Sequence, residues 1–428
     1  MVLRYLGELG LLLGVASLVP SLASIFLREI HLLAPYGLLT VLLLVLGFLA
    51  RRAPRPNELQ RSEALVITVL AFVLSPLLMS LPLVFQGVNW LDAVFEAISG
   101  VTTTGLSTLD SLEGRPRTFL VARAWMQWVG GLGFVVLSLA LLLEPSAAAR
   151  QLGAPGLEPA EVPGSMRAHA RRVLLVYLML SGLGWSVLVA LGASGFDALV
   201  HTFAAVSTGG FAPRDSSLAE LGARIQVFVL TLSLLGAISL PLYAGLAEGR
   251  WRRLRNDAQA RMLLLLIAVV SASLWMVSGV GEDPDSAGIA DLALLSVSSQ
   301  TTAGFSTFTL DRLPDSSKAI LILSMITGGS VGSTAGGIKL LRLLVMVQLL
   351  RWLVARTRLP THAVSWPTLS GERLESDEAL RAAALILLFL SVVLVSWIPF
   401  LACGHPPLEA LFEVVSATGT VGLSVVAV

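Results

Sequence analysis

The 428-residue chain is 55% hydrophobic and only 13% charged, against roughly 25% charged in an ordinary soluble domain. A soluble fold of this size would need far more ionisable surface, so most of this chain faces lipid, in keeping with a mean hydropathy of +0.82. The balance of 29 Lys+Arg against 28 Asp+Glu gives no basic excess for nucleic acid, while one cysteine and five histidines exclude a disulfide framework, a thiolate cluster and a histidine-rich metal centre.

A spanning helix needs roughly 20 apolar residues, and nine runs approach that length: 6–26, 32–50, 64–84, 119–143, 173–191, 225–246, 262–280, 320–350 and 382–403. The first follows Arg4, contains Glu8 and lacks a convincing small-residue cleavage site, which favours a retained helix over a signal peptide. Basic linkers lie at 51–61, 150–172, 250–261 and 351–381, whereas Glu282, Asp283 and Asp285 make an intervening segment acidic. Because Lys and Arg accumulate in short cytoplasmic loops, the N-terminus is expected inside and the acidic stretches outside.

Between the two helices of each later pair lies a polar segment too short to span. The four are Val101-Thr-Thr-Thr-Gly-Leu-Ser107, Val206-Ser-Thr-Gly-Gly-Phe-Ala212, Gln300-Thr-Thr-Ala-Gly-Phe-Ser306 and Thr418-Gly-Thr-Val-Gly-Leu-Ser424. They share Thr-x-Gly followed by Leu or Phe, and an acid stands thirteen residues before each glycine: 92 to 105, 197 to 210, 291 to 304 and 409 to 422. Roughly eight mostly apolar residues after each acid suffice for a half-helix of two turns. The acid would cap its positive N-terminal end, and its carbonyl end would point at the loop. Non-helical backbone at membrane depth is tolerated only inside protein or along an aqueous path. Four glycine-bearing loops around one axis would form a carbonyl ring able to replace a cation's hydration shell. One such segment alone could be a small-residue packing patch; four independent patches have no reason to keep a common register.

The run 320–350 is too long for one ordinary helix and contains Thr327-Gly-Gly-Ser-Val-Gly-Ser-Thr-Ala-Gly-Gly-Ile-Lys339. Its glycines, Gly328, Gly329, Gly332, Gly336 and Gly337, are predicted to unwind it, since each costs about 1 kcal/mol against alanine in a helix. A nucleotide-binding loop is excluded, as no Gly-Lys-Ser/Thr arrangement or preceding strand is present. Lys339 and Arg342 lie near the inner end. Lys339 either snorkels to the headgroups or forms an electrostatic barrier on a flexible obstruction under the ring. A second cluster, Gln127-Trp-Val-Gly-Gly-Leu-Gly133, reads as close helix packing. Arg123 in the same run needs an internal acid, for which Glu96, Glu413 and Asp92 are candidates; His201, at the position equivalent to Glu96 and Glu413, reads as a packing or capping residue. No paired intramembrane carboxylates, His-Glu-x-x-His or serine elbow supports an enzyme.

The four loops, Gln127 to Gly133, and Gly332 to Lys339 with Leu340, Leu341 and Arg342 resemble the TrkH family of bacterial Trk K⁺ uptake systems, in the wider Trk/Ktr/HKT superfamily. The resemblance covers about residues 60 to 428, and the N-terminal helix pair is similar to Trk rather than Ktr proteins. It implies an all-α integral membrane fold: four pseudo-symmetric helix–pore loop–helix units around a central pore, plus that helix pair. The corresponding segments are 1–56 for the pair, then 57–150, 151–250, 251–358 with the broken inner helix, and 359–428. The fourth unit is expected to be incomplete, its inner helix missing after Gly422. The resemblance further implies a K⁺ filter at Thr103, Thr104, Gly105, Thr208, Gly209, Gly210, Thr302, Ala303, Gly304, Thr420, Val421 and Gly422. It implies a gate at Gly328, Gly329, Gly332, Gly336, Gly337, Lys339 and Arg342. Glycine at all four filter positions matches K⁺-selective members. A homodimer in the bacterial cytoplasmic membrane is implied, with a cytoplasmic nucleotide-binding TrkA-like regulator, no nucleic-acid partner, and no cofactor beyond the transported ion. The expected function is gated, channel-like K⁺ uptake; the alternative is a Na⁺- or H⁺-coupled carrier, which should need titratable groups at the bilayer midplane.

Overall fold

The computed structural model describes residues 2–52, 61–142, 162–246, 249, 251–278, 288–311, 313–358, 360, 366–369, 372–374 and 376–426. Helices α1 (Val2–Ala16) and α2 (Leu18–Phe26) lead into α3 (Leu33–Arg51), which packs back along α1. From there one pattern recurs. A long apolar helix is followed by a helix of 12 residues and a polar loop, and in the first three copies by a return helix.

In the first unit these are α4 (Arg61–Met79) with the short α5 (Leu81–Val84), then α6 (Trp90–Val101) and α7 (Arg117–Leu142). The second has α8 (Val162–Ala190), α9 (Gly195–Val206), α10 (Ala223–Ala237) and the short α11 (Leu240–Ala244). A short α12 (Trp251–Asn256) precedes the third: α13 (Ala258–Val277), α14 (Ile289–Gln300), α15 (Asp315–Thr327) and α16 (Leu340–Arg356). A hairpin of β1 (Thr368–Leu369) and β2 (Glu372–Arg373) then leads to α17 (Ser376–Ala402) and α18 (Pro407–Thr418).

The short helices stand where return helices can be shared. α7 packs on both α6 and α9, α10 on both α9 and α14, and α15 on both α14 and α18. One apolar cluster centres on Tyr177, Leu230 and Phe305, and another on Leu321, Phe412 and Val421, so the ring loops are held by core residues on either side. The outer helices show the opposite character: Leu387, Leu388 and Val395 of α17 are exposed, as lipid-facing residues should be.

Among the described residues seven helices are long and apolar enough to cross a membrane, fewer than the nine runs in the sequence. The run 320–350 is split between Thr327 and Leu340, as its glycines predict. The run 225–246 is also split, against expectation, because α10 stops at Ala237. Continuing the helix would require residue 241 to donate to the Ala237 carbonyl, and Pro241 has no N–H. Ser330 N donates to that carbonyl instead, at 3.0 Å, and Thr334 N takes the Gly236 carbonyl at 3.1 Å. The break thus creates a seat for the glycine-rich segment. Residues 53–60 and 150–161 of the basic linkers, and the acidic Glu282, Asp283 and Asp285, lie outside the described residues.

Candidate functional site

Each short helix starts with its acid at the third position, not at the cap. Asn89 and Ser194 cap α6 and α9, and Gly288 and Pro406 occupy the cap positions of α14 and α18. Of the four acids, Asp291 reaches back to a cap N–H, from Gly288 at 3.1 Å. Asp92 and, through its other oxygen, Asp291 hold the far side of their own loops, accepting from Thr108 Oγ1 at 3.0 Å and Thr307 Oγ1 at 2.8 Å. Asp197 meets Arg214 at 3.5 Å, and Glu409 meets Lys318 at 3.1 Å. Three of the carboxylates therefore tie loop to helix, and Glu409 ties α18 to α15, as well as suiting the positive helix end.

All four helices end identically. The threonine of each Thr-x-Gly has positive φ: 56° at Thr103, 51° at Thr208, 54° at Thr302 and 51° at Thr420. Its N–H bonds back three residues, and the next N–H bonds back five: Thr104 to Ser99 at 2.8 Å, Gly209 to Ala204 at 2.7 Å, Ala303 to Ser298 at 2.9 Å and Val421 to Ser416 at 2.8 Å. This is the Schellman ending, which normally places glycine in the left-handed position. A β-branched residue there is strained, and such strain persists only where the surroundings over-determine it. Here it occurs at four equivalent positions.

The glycine that follows also has positive φ, from 70° at Gly304 to 92° at Gly422. Each glycine Cα faces the carbonyl oxygen of the residue before the glycine in the next loop. A Cβ at Gly105 would overlap Gly209 O, one at Gly210 would overlap Ala303 O, one at Gly304 would overlap Val421 O, and one at Gly422 would stand 2.5 Å from Thr104 O. The relation runs from first to second to third to fourth loop and back to the first. The four loops thus close a ring. A cavity of about 330 Å³ opens above it, lined by Gly105, Gly210, Gly304 and Gly422 together with Arg123 and Asp110. Carbonyl and hydroxyl oxygens are hard donors that suit an alkali cation better than a transition metal.

Buried side chains brace the ring. Gln127 of α7 donates through Nε2 to Gly209 O and accepts from Phe211 N at Oε1, 3.1 Å away, so one amide holds both sides of Gly210. Glu96 accepts from Ser107 Oγ and Thr108 N, and Glu413 repeats this with Ser424 Oγ at 2.9 Å and Val425 N at 2.8 Å. Of the three candidate partners for Arg123, Glu96 is the one it meets, Nε to Oε2 at 2.7 Å, and the guanidinium also lies 3.9 Å over the Phe211 ring. His201 is buried, with Nδ1 2.7 Å from Asp197 O.

Beneath the ring lies the segment between α15 and α16. Gly336 N donates to Thr302 Oγ1 at 2.7 Å, Gly337 N to Gly419 O at 3.1 Å, and Thr208 Oγ1 to Thr334 Oγ1 at 3.3 Å. A Cβ at Gly336 would overlap both Gly419 O and Thr420 Oγ1. Other bonds seat the segment from below, Leu240 N to Gly332 O at 3.0 Å and Val331 N to Gln259 Oε1 at 2.9 Å, while Gln300 Nε2, at the start of the third loop, donates to Gly328 O at 2.9 Å. Lys339 does not snorkel. It is 5% exposed, its Nζ donates to Ser333 O and Ala335 O, and it lies 5.0 Å from the Phe134 ring centroid.

Residues 41–426 match the family model of TrkH, described as a cation transport protein. The chain belongs to the TrkH family. It is 27% identical to an uncharacterized cation transporter of Methanocaldococcus jannaschii, over 99% of this chain and 87% of that protein. It is 30% identical to the Trk system potassium uptake protein TrkH of Halomonas elongata, over 81% of this chain and 74% of that protein. The crystal structure of the potassium transporter TrkH from Vibrio parahaemolyticus superposes with a TM-score of 0.84 at 26% identity, covering 99% of this chain and 90% of that one.

In this TrkH-family chain the twelve ring residues named from the sequence come together, with Gly328 to Lys339 directly below them. Arg342 stands apart, in the first turn of α16, with Nη1 bonded to Ile338 O at 2.8 Å. Gly130 and Gly131 of the second glycine cluster give the close packing expected of them, against Val101 and Ser207. Gln127, Gln259, Gln300 and Thr334 carry roles that sequence reasoning missed. Three of them are amides within or at the end of helices in the membrane domain, and burying such a group requires a partner.

Proposed function

We propose that this chain takes up K⁺ across the bacterial cytoplasmic membrane through a gated, channel-like pore. The observation that carries this reading is the closed ring of four Thr-x-Gly loops, each strained in the same way and each packed by its glycine on the next. The Halomonas relative and the Vibrio structure bear potassium in their names. Thr103 to Gly105, Thr208 to Gly210, Thr302 to Gly304 and Thr420 to Gly422 act as the filter, with K⁺ as cargo and no cofactor. The segment Gly328 to Lys339 acts as the gate, held across the inner side of the filter. The ammonium of Lys339 adds a positive charge to that barrier. The N-terminus and basic linkers face the cytoplasm, where a nucleotide-binding TrkA-like subunit acts on a homodimer. The coupled-carrier reading has less support, because the Thr-x-Gly positions carry no titratable side chain.

The test is ⁸⁶Rb⁺ flux into liposomes holding the purified protein. Uptake that K⁺ competes away and Na⁺ does not is the expected result. Equal competition by Na⁺ overturns the filter assignment, and absence of flux overturns the transport reading of this chain.

A further inference from the structure

Helix α12 is one residue away from Asp257, the cap of the apolar α13, so it lies at the edge of the membrane-spanning region. Arg252, Arg253 and Arg255 are exposed on it, and Trp251 is 65% exposed beside them. None of the three arginines forms an ion pair with a described residue. The neighbouring acid, Asp257, accepts the Ala260 N–H at 2.7 Å. Leu254 points the other way and packs on a cluster containing Ala237, Leu263, Ala335 and Leu340. One side of the helix is thus cationic and aromatic, while the other rests on the glycine-rich segment's own neighbours.

Arginine forks match phosphate oxygens, and basic clusters beside a membrane are drawn to anionic headgroups. An exposed indole prefers the headgroup region to bulk water, which selects a lipid over a free phosphate. We propose that Trp251, Arg252, Arg253 and Arg255 bind the headgroups of anionic phospholipids, and that this attachment steadies residues 328–339 in the position seen here. The placement on the cytoplasmic leaflet rests on the orientation given in the proposed function. The mechanical link is short. α12 joins α11, whose Leu240 N holds Gly332 O, to α13, whose Gln259 holds Val331 N. A headgroup that fixes α12 fixes both holds, and a ligand that binds one arrangement better shifts the population toward it.

The experiment compares wild type with Arg252→Gln/Arg253→Gln/Arg255→Gln and with the corresponding triple Lys variant. Phosphatidylglycerol retained by detergent-purified protein is counted by native mass spectrometry. ⁸⁶Rb⁺ flux is measured in vesicles of phosphatidylcholine alone and of phosphatidylcholine with phosphatidylglycerol, without any regulator. Basic residues near an anionic surface each contribute several-fold to attachment, so the Gln variant should bind the lipid on the order of a hundredfold more weakly and the Lys variant much less so. Wild-type flux should be about threefold or more lower in the anionic vesicles than expected from the Gln variant, whose flux should be insensitive to this restraint. Surface potential raises the local cation concentration equally for both proteins, so the difference between them is the readout. Equal lipid retention by wild type and the Gln variant overturns the site. Equal composition dependence of their fluxes, or the opposite sign, overturns the link to the segment. Absence of flux in every vesicle refutes the transport reading and the restraint with it, while lipid retention still decides the site.

Discussion

The Cα of Gly105 faces the carbonyl oxygen of Gly209 so closely that no side chain fits between them. A residue of the first loop therefore sets where the second loop's carbonyl can stand, and the same dependence passes around all four.

Gly105→Ser should keep the fold but loosen ion choice. The positive φ of 85° costs a serine about 1–3 kcal/mol, and the Gly209 carbonyl, which its Cβ would overlap, has to move aside. Displacing one carbonyl changes the ring for every ion that enters it. A shift of about 1.4 kcal/mol in relative binding is tenfold in preference. ⁸⁶Rb⁺ uptake with competing Na⁺ should show that loss, at wild-type levels of folded protein; unchanged competition would rule out the ring as the selective element.

Arg123→Met should destabilise strongly. Both partners are buried, with side chains 2% and 0% exposed, and removing one leaves an uncompensated charge, typically worth about 3–5 kcal/mol. Glu96→Gln/Arg123→Met should recover most of the loss, because Gln still accepts from the first loop. Thermal unfolding in detergent compares them, and equal Tm values for the single and double variants would contradict the account.

Deleting Gly332 to Gly337 should raise flux per folded molecule, and Lys339→Ala should act in the same direction but less. The deletion removes the bonds from Gly336 to Thr302 and from Gly337 to Gly419, and the glycines have little helical preference of their own to rebuild an obstruction. If these residues only allow close packing, the amount of folded protein falls and flux per molecule does not rise. The two outcomes separate when flux is normalised to folded protein.

Low pH should loosen the hold of the N-terminal helices on α7. Burial pushes the Glu29 carboxyl up, but hydrogen bonds from Thr118 and Arg117 outweigh it and hold the group below its ordinary value. Its oxygens accept Arg117 N at 2.9 Å and Thr118 N at 2.8 Å, capping α7 from outside that helix. A depressed folded pKa contributes stability that is present above the unfolded value, about 4.3, and is lost as pH falls through the folded one. The Tm of wild type should therefore fall further between pH about 5 and 3 than that of Glu29→Gln. Parallel curves would show that the cap contributes nothing.

The ring was legible because it is repeated. Four copies of Thr-x-Gly at a constant distance from an acid give a pattern that no single copy could, and five glycines between 328 and 337 announce a broken helix by propensity alone. The break after Ala237 was not legible, since hydropathy runs smoothly through it; its signal was the single missing N–H of Pro241, which matters only once the glycine-rich segment is beside it. The acids were correctly placed at the helix starts, yet the partners of Asp92 and Asp291 lie sixteen residues on, at Thr108 and Thr307, and hydrogen bonds across a loop leave no periodicity to read. Glu96 could not be chosen over Glu413 and Asp92 as the partner of Arg123, because that choice depends on how α6 and α7 cross.

The glycine-rich segment does not lie evenly beneath the ring. Its hydrogen bonds reach Thr208 in the second loop, Thr302 in the third and Gly419 beside the fourth. The threonines of the first loop bond within their own stretch, Thr102 Oγ1 to Thr104 Oγ1 at 2.8 Å. Under the proposed function, changes at Thr302 or Thr420 would have to satisfy two masters, the ion in the ring and the segment that closes it. Position 105 would then answer chiefly to the ion, so a change there could retune ion preference and leave the closing mechanism alone.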